Sequence, residues 1–360
     1  MPGPTPPTAV RTAFPAPGNR DLDPSGAERL QDLLTKITAY PDSPSGSRGV
    51  TAAVVTDHWT WSGAAGTDIR GTPLRPDTTM PVADITKTFV AAEVMQLANA
   101  GRLNLELPLS RYVAHPLTRN NATVRQHLSM TAGVPDFDGS DIRALERTIA
   151  AAPSRRWSLA EALDYYTGRI QPPDDSFYYS NVSYILLGLM IENITGQPLA
   201  AALRHDLADP AGLRHAAFQD AEKPQPPVVQ DDNESCGAPD GYLPCRGVAS
   251  AAAAFAGLAA DAPTVARWGY QLYGGRVVPG DLVRQMTAGD GEYGLGTMRF
   301  TRQFGSADAY GHGGDLPDHT SLLVVIPQQR VSIAVILADG GRNIYRSMSE
   351  LARAVQPLLG

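Results

Sequence analysis

The chain has 360 residues and 43% hydrophobic content, enough to bury a large core in two packed lobes or two domains. A net charge of −7, a pI near 5.5 and the lack of any basic run exclude a phosphate-binding surface, and with it nucleic acid and anionic membranes as partners. No stretch approaches the ~20 apolar residues of a membrane span, Ala249 to Ala260 being too short and too weakly apolar.

Residues 1–22, rich in Pro, Thr and Gly and without the apolar core of a secretory leader, read as a disordered arm. That points to a cytoplasmic protein, or to a secreted one whose leader has been trimmed. Pro24 to Tyr40 reads as a helix with Leu30, Leu33, Leu34 and Ile37 on one face. After a Pro/Ser/Gly loop, Gly49 to Asp57 and His58 to Thr67 read as two antiparallel strands, β-branched and aromatic. Met80 to Leu103 reads as an amphipathic helix that packs on this sheet, with Phe89, Ala92, Met95 and Leu97 near helical spacing and Gly101 closing it. Asp84 and Lys87, three residues apart at its start, share one face.

From Leu103 to Pro244 the pattern is helix and loop, with helical candidates at Thr123 to Met130, Trp157 to Tyr166 and Tyr184 to Ile194. Pro-rich Glu222 to Val229 is a connecting loop. Cys236 and Cys245 lie in a Gly- and Pro-containing loop and are either a disulfide or two surface thiols; without a nearby His or second Cys pair they are no zinc site. Beyond Gly247 come an Ala-rich helix, strand candidates at Gly294 to Phe300, Thr320 to Ile326 and Val331 to Asp339, and a last helix from Tyr345 to Leu358. Residues 23–360 thus read as one α/β (α+β) domain. An antiparallel sheet flanked by helices is built from 23–102 and 245–360, and a mainly helical lobe, 103–244, is inserted between them.

Asp84-Ile85-Thr86-Lys87 at a helix start, Tyr179-Ser180-Asn181 followed by a helix ending in Glu192-Asn193-Ile194-Thr195-Gly196, and Tyr310-Gly311-His312-Gly313-Gly314-Asp315 occur in that order. Together they resemble the three motifs of the serine β-lactamases and penicillin-binding DD-peptidases. Thr123 to Asp136 and Gly247-Val248-Ala249-Ser250 match supporting segments of the same family, and the likeness spans roughly residues 49 to 340. Class C β-lactamases, DD-carboxypeptidases and related esterases, amidases and transacylases are the relatives implied. The resemblance implies the β-lactamase/transpeptidase-like fold. It makes Lys87 and Tyr179 proton movers and Asn181 a clamp on the substrate amide, with His312, Gly313, Gly314 and Asp315 along the site. Oxyanion donors would be the N–H groups of Asp84 and Asp315. Each residue has a plainer role open to it: Lys87 as an ion-pair partner, Tyr179 and Asn181 as helix cap and core, His312 as a strand-end histidine.

The motif's serine is absent, and Asp84 stands in its place. A carboxylate attacking an amide or ester would give a mixed anhydride while expelling a poorer leaving group, which runs uphill. Beside Lys87 and the positive end of a helix, Asp84 is also expected to be ionised and weakly nucleophilic. Neither Thr86 nor Ser180 points where a substitute hydroxyl is needed. Asp315 stands where the family carries a small or hydroxyl residue. It either shares the cleft with Asp84, so that the two carboxylates split an acid and a base role, or turns away to solvent or to cap a loop.

Three functions fit these residues. One is hydrolysis or transfer at an amide or ester carbonyl of a small-molecule or peptide-like substrate, with no acyl-serine and Asp84 as acid or base. Another is general acid–base isomerisation, epimerisation or cyclisation in natural-product biosynthesis. The third is a non-catalytic binding protein. No cofactor and no metal are implied, and the oligomeric state is not legible.

Overall fold

The computed structural model describes residues 13–39, 46–174, 176–230, 236–237, 240–289, 291–306 and 308–359. Ten strands are found among the described residues: β1 Arg20–Asp21, β2 Gly49–Val55, β3 Trp59–Gly66, β4 Met80–Pro81, β5 Ala217–Phe218, β6 Leu258–Ala260, β7 Met298–Arg299, β8 Tyr310–Leu316, β9 His319–Ile326 and β10 Val331–Leu337. Seven of them form the main sheet in the order β1-β3-β2-β10-β9-β8-β7. Early and late strands meet at its centre, where β2 pairs antiparallel with β10 in the register Ala53↔Ala334. The sheet is mixed and not purely antiparallel, because β1 runs parallel to β3.

Both faces of this sheet are covered, so β9 and β10 are buried along their whole length instead of alternating between buried and exposed. On the outer face Val54, Leu322, Val324 and Ile333 pack with Leu30, Leu34 and Ile37 of the helix Pro24–Ala39 and with Met348, Leu351 and Val355 of the helix Ile344–Val355. On the inner face lies the helix Ala262–Tyr273, capped by Asp261, whose Oδ1 accepts from Thr264 N at 2.7 Å. Gly269 allows its close approach to the sheet: a Cβ there would lie 2.5 Å from Leu323 Cδ1. This helix was not evident in the sequence, and it occupies the place expected for the Met80–Leu103 helix.

That segment divides differently. Met80–Pro81 is a strand of a second, three-stranded sheet (β4-β6-β5), Ala83–Ile85 is a 3₁₀ turn, and the α-helix runs from Thr86 to Asn99. The helix is buried on every side and not amphipathic, stacking Phe89 on Trp268 with ring centroids 3.7 Å apart. Full burial takes Lys87 and Glu93 out of water with it. Burial, then the charge of Asp206, pushes the Glu93 carboxyl from its ordinary 4.5 up to about 8. Folded Glu93 therefore holds a proton that the unfolded chain sheds, so its contribution is full below pH 4.5 and is lost as pH rises through 8. Glu93→Gln, which keeps the neutral form, is expected to raise the thermal midpoint by several degrees at pH 8.5 and to leave it nearly unchanged at pH 4.5. Melting curves that shift equally at both pH values would contradict this.

Between the two parts of the main sheet, residues 103–244 carry the helices Val124–Leu128, Gly139–Ala151, Leu159–Leu163, Asn181–Thr195 and Leu199–Leu203. Three of them open on capping boxes, Thr123 with Gln126, Asp138 with Asp141 and Ser158 with Glu161, each satisfying orphan N–H groups. The Ala-rich helix is only Arg246–Ala251, and Leu258–Ala260 pairs as β6 despite its composition, because it fills the gap between β4 and β5.

The arm expected to be disordered over 1–22 is ordered from Ala13 onward; residues 1–12 lie outside those described. Phe14 is buried against Tyr270, and its N–H donates to Gly274 O at 2.7 Å. Cys236 and Cys245 form a disulfide, with Cα atoms 5.7 Å apart and both residues buried. Closing a loop of sequence separation 9, the bridge is expected to contribute about 2–3 kcal/mol through the unfolded chain. Replacing both cysteines by serine should lower the denaturant midpoint accordingly.

Candidate active site

The turn Val82–Ile85 is pressed against β8 and held there by Ser321, whose hydroxyl donates to Val82 O at 2.8 Å. Gly314 permits the contact, since a Cβ there would lie 2.6 Å from Val82 O and 2.8 Å from Ala83 Cβ. Ala83 takes a left-handed φ of 47°, a strained conformation for a residue with a side chain, immediately before Asp84. Backbone strain and close packing thus aim position 84 at one spot.

At that spot Lys87 Nζ pairs with the Asp84 carboxylate and donates to Asn181 Oδ1 at 2.7 Å. Tyr179 lies close enough for the Asp84 charge to act on its hydroxyl. Rings of Tyr179, Phe255 and Tyr184 surround the ammonium, their centroids 4.9, 5.3 and 5.6 Å from Nζ. Lys87 is fully buried, whereas the Asp84 side chain is 19% exposed. Burial lowers the Lys87 ammonium against the opposing pull of Asp84. Burial, followed by the charge of Asp84, raises the Tyr179 phenol far above its usual range and keeps it protonated.

Asp136, not assigned a role from the sequence, completes the cluster. Its carboxylate accepts from Asn181 Nδ2 at 2.9 Å and from Asn181 N at 3.0 Å, and burial raises it. Asn181 is therefore held from both ends, by Lys87 and by Asp136, with one Nδ2 hydrogen left for a ligand. The only sequence signal for Asp136 was its place at the end of the Thr123–Asp136 segment.

His312 is buried on β8 and pairs with Tyr293 and not with Asp84. Its Nε2 accepts from the Tyr293 hydroxyl at 3.0 Å and its Nδ1–H donates to Gly313 O at 2.5 Å. Burial, then the Lys87 charge, lowers it to about 4, so it is neutral at physiological pH. Tyr293, in a loop without motif character, had no sequence signal.

Asp315 does not share the cleft with Asp84. Along β8 successive side chains alternate, and Gly314 faces the Val82 turn while Asp315, paired with Thr320, points to the opposite face. There its Oδ1 accepts from the Thr320 hydroxyl at 3.0 Å and from Gly341 N at 3.2 Å. Of the two orientations left open by the sequence, the one turned away from Asp84 is found, and a shared pair of carboxylates is not. Thr86 and Ser180 are committed elsewhere: Thr86 Oγ1 donates to Ala83 O at 2.6 Å, and Ser180 Oγ accepts from Ser183 N at 3.1 Å.

Two cavities border the cluster. One, of about 350 Å³, reaches Asp136 and Asn181. The other, of about 770 Å³, reaches Tyr179 and Tyr293. No group of three or more His, Cys, Asp or Glu suited to a metal occurs among the described residues. Among them, too, no single helix is long and apolar enough to cross a membrane.

The fold is similar to that of D-amino acid amidase from Ochrobactrum anthropi SV3 complexed with L-phenylalanine amide, with a TM-score of 0.75 over 92% of this chain and 99% of the amidase. At 21% identity that likeness shows the fold alone. In sequence the chain is 29% identical over 149 residues to Protein flp of Staphylococcus aureus (strain COL), which is 40% of this chain and 29% of flp. It is also 27% identical over 195 residues to Esterase EstB of Burkholderia gladioli, 46% of this chain and 44% of the esterase. The matched stretches are thus less than half the length of both relatives. The Beta-lactamase family profile matches residues 34–355, so this chain belongs to the β-lactamase family.

Proposed function

We propose that the chain is a hydrolase of amide or ester carbonyls that activates water with Asp84 and forms no acyl-enzyme. The observation that carries this reading is the Asp84 carboxylate, 19% exposed and paired with the fully buried Lys87 ammonium, beside a Tyr179 phenol on which its charge acts. An amidase is a fold neighbour and an esterase a sequence relative, which supports carbonyl chemistry.

Asp84 takes a proton from water as the water oxygen adds to the carbonyl carbon. Tyr179, held protonated, gives its proton to the departing nitrogen or oxygen and recovers one from the neighbouring Asp84. Protons and charge balance over the cycle. Lys87 offsets the carboxylate before and after the transfer, and the free Nδ2 hydrogen of Asn181 orients the substrate. The N–H groups of Asp84 and Asp315 serve the oxyanion. In support, Gly313 N–H turns away from β9 to Met298 Sδ at 3.4 Å, and the two-residue period of β8 turns the Asp315 N–H the same way.

One observation favours a second reading, a binding protein without turnover: the Asp84 carboxylate is already engaged by the Lys87 ammonium. A panel of chromogenic amides and esters, followed by intact-mass spectrometry, separates the two. Product release with no change in protein mass at any time point is the expected result. An acyl adduct on Thr86 or Ser180 would overturn the mechanism, and ligand binding without turnover would favour the second reading. The Cys236–Cys245 bridge further supports an oxidising compartment, and so the secreted alternative over the cytosol.

A further inference from the structure

The 350 Å³ cavity beside Asn181 has a composition that says what enters it. Phe137, Leu145, Ile149, Val248, Phe255 and Leu316 supply its walls, and Ala252 and Ala256 leave room between them. Its polar members are Asp136 and Asn181 on the cluster side, with Glu146, Asp318 and His319 elsewhere on its lining. His319 is buried and lowered to about 4, hence neutral. Among the described residues, neither lysine nor arginine lines the cavity. A site built this way desolvates hydrocarbon readily, repels carboxylates and accepts a cation.

Which part of a substrate lies here follows from the proton donor. Tyr179 borders the other cavity, so the leaving group it protonates lies on that side. The acyl part then falls on the Asn181 side. Size follows from volume: a dry cavity of about 150 Å³ accommodates one benzene ring, so 350 Å³ holds two rings or a branched chain of comparable bulk.

We propose that this cavity is the acyl-side specificity pocket, and that it selects a bulky hydrocarbon group of about two rings bearing a cationic amine and rejects one bearing a carboxylate. The assignment of the acyl side rests on the reading of Asp84 and Tyr179 given above; the preference for hydrocarbon and positive charge rests on the cavity alone.

Binding, read without turnover, keeps the two apart. Isothermal calorimetry on the full chain with 4-phenylbenzylamine, 4-phenylbenzyl alcohol and 4-biphenylcarboxylic acid should rank them amine, alcohol, acid, with at least tenfold between first and last. Ala252→Phe, which fills the cavity from a half-exposed turn, should weaken the amine at least tenfold. Glu146→Gln with Asp318→Asn, two changes on the lining away from the Asp84 cluster, should erase the preference of amine over alcohol. Equal binding of all three probes, no binding of any, or undiminished amine binding by a folded Ala252→Phe protein would overturn the proposal. Should Ala252→Phe not fold, Ile149→Phe serves for the same reading. Amine binding that survives while Asp84→Asn leaves hydrolysis unchanged would sink the catalytic reading and leave the pocket standing.

Discussion

Asp84→Asn is expected to fold and to lose hydrolysis by about 10²- to 10⁴-fold, the usual worth of a positioned general base. The introduced amide has nearly the shape of the carboxylate and still offers an oxygen to Lys87 and Tyr179. What it lacks is basicity toward water and the negative charge beside a buried ammonium. Stripping a buried cation of its partner costs ~3–5 kcal/mol when nothing else compensates. Here Asn181 Oδ1 and three aromatic faces remain, and burial already lowers Lys87, so the ammonium can shed its proton. The loss in stability is therefore expected to be smaller than that range, and thermal unfolding of the variant checks it. A folded variant whose kcat falls by less than about tenfold would show that Asp84 is not the base.

The positions of this site were legible in the sequence, and their directions were not. Asp84, Lys87, Tyr179 and Asn181 meet because three short motifs mark a turn, a helix start and a strand, and spacing records such things. Asp315 was placed correctly along β8, but whether its side chain faces Asp84 depends on which face of the strand meets the Val82 turn. Only Gly314, packed against Val82 O, settles that. His312 and Tyr293 form a pair across 19 residues of loop and strand, and nothing in the sequence ties them.

The fold shows the same division. Strands β2, β9 and β10 announce themselves by β-branched apolar runs. The Thr86–Asn99 helix reads as amphipathic because its small residues and its two charged ones imitate a polar face, yet it is buried on every side. Asp261 and Pro263 mark the start of Ala262–Tyr273, but the Ala-rich run before it carries the stronger helical composition. Leu258–Ala260 is a strand by tertiary pairing and not by propensity.

Asp84→Ser is expected to convert a chain that is inert to covalent probes into one that acylates. Wild-type protein should show no adduct with a penicillin or a fluorophosphonate, because the hydroxyls of Thr86 and Ser180 are occupied in local hydrogen bonds. A serine at position 84 would stand on the same strained turn, next to Lys87 Nζ and the Tyr179 hydroxyl. Removing the carboxylate also removes the charge that now holds the Lys87 ammonium up, so burial drives it further toward the neutral amine, the form that takes a proton from a serine. Intact-mass spectrometry should then show a stoichiometric adduct on the variant alone. Because the Asp315 side chain lies on the other face of β8, bonded to Thr320 and Gly341, adding Asp315→Ser should leave the acylation rate within about twofold. A large acceleration in the double variant would mean that Asp315 does reach the cleft, and a folded Asp84→Ser protein that forms no adduct would mean that position 84 is not where a nucleophile belongs.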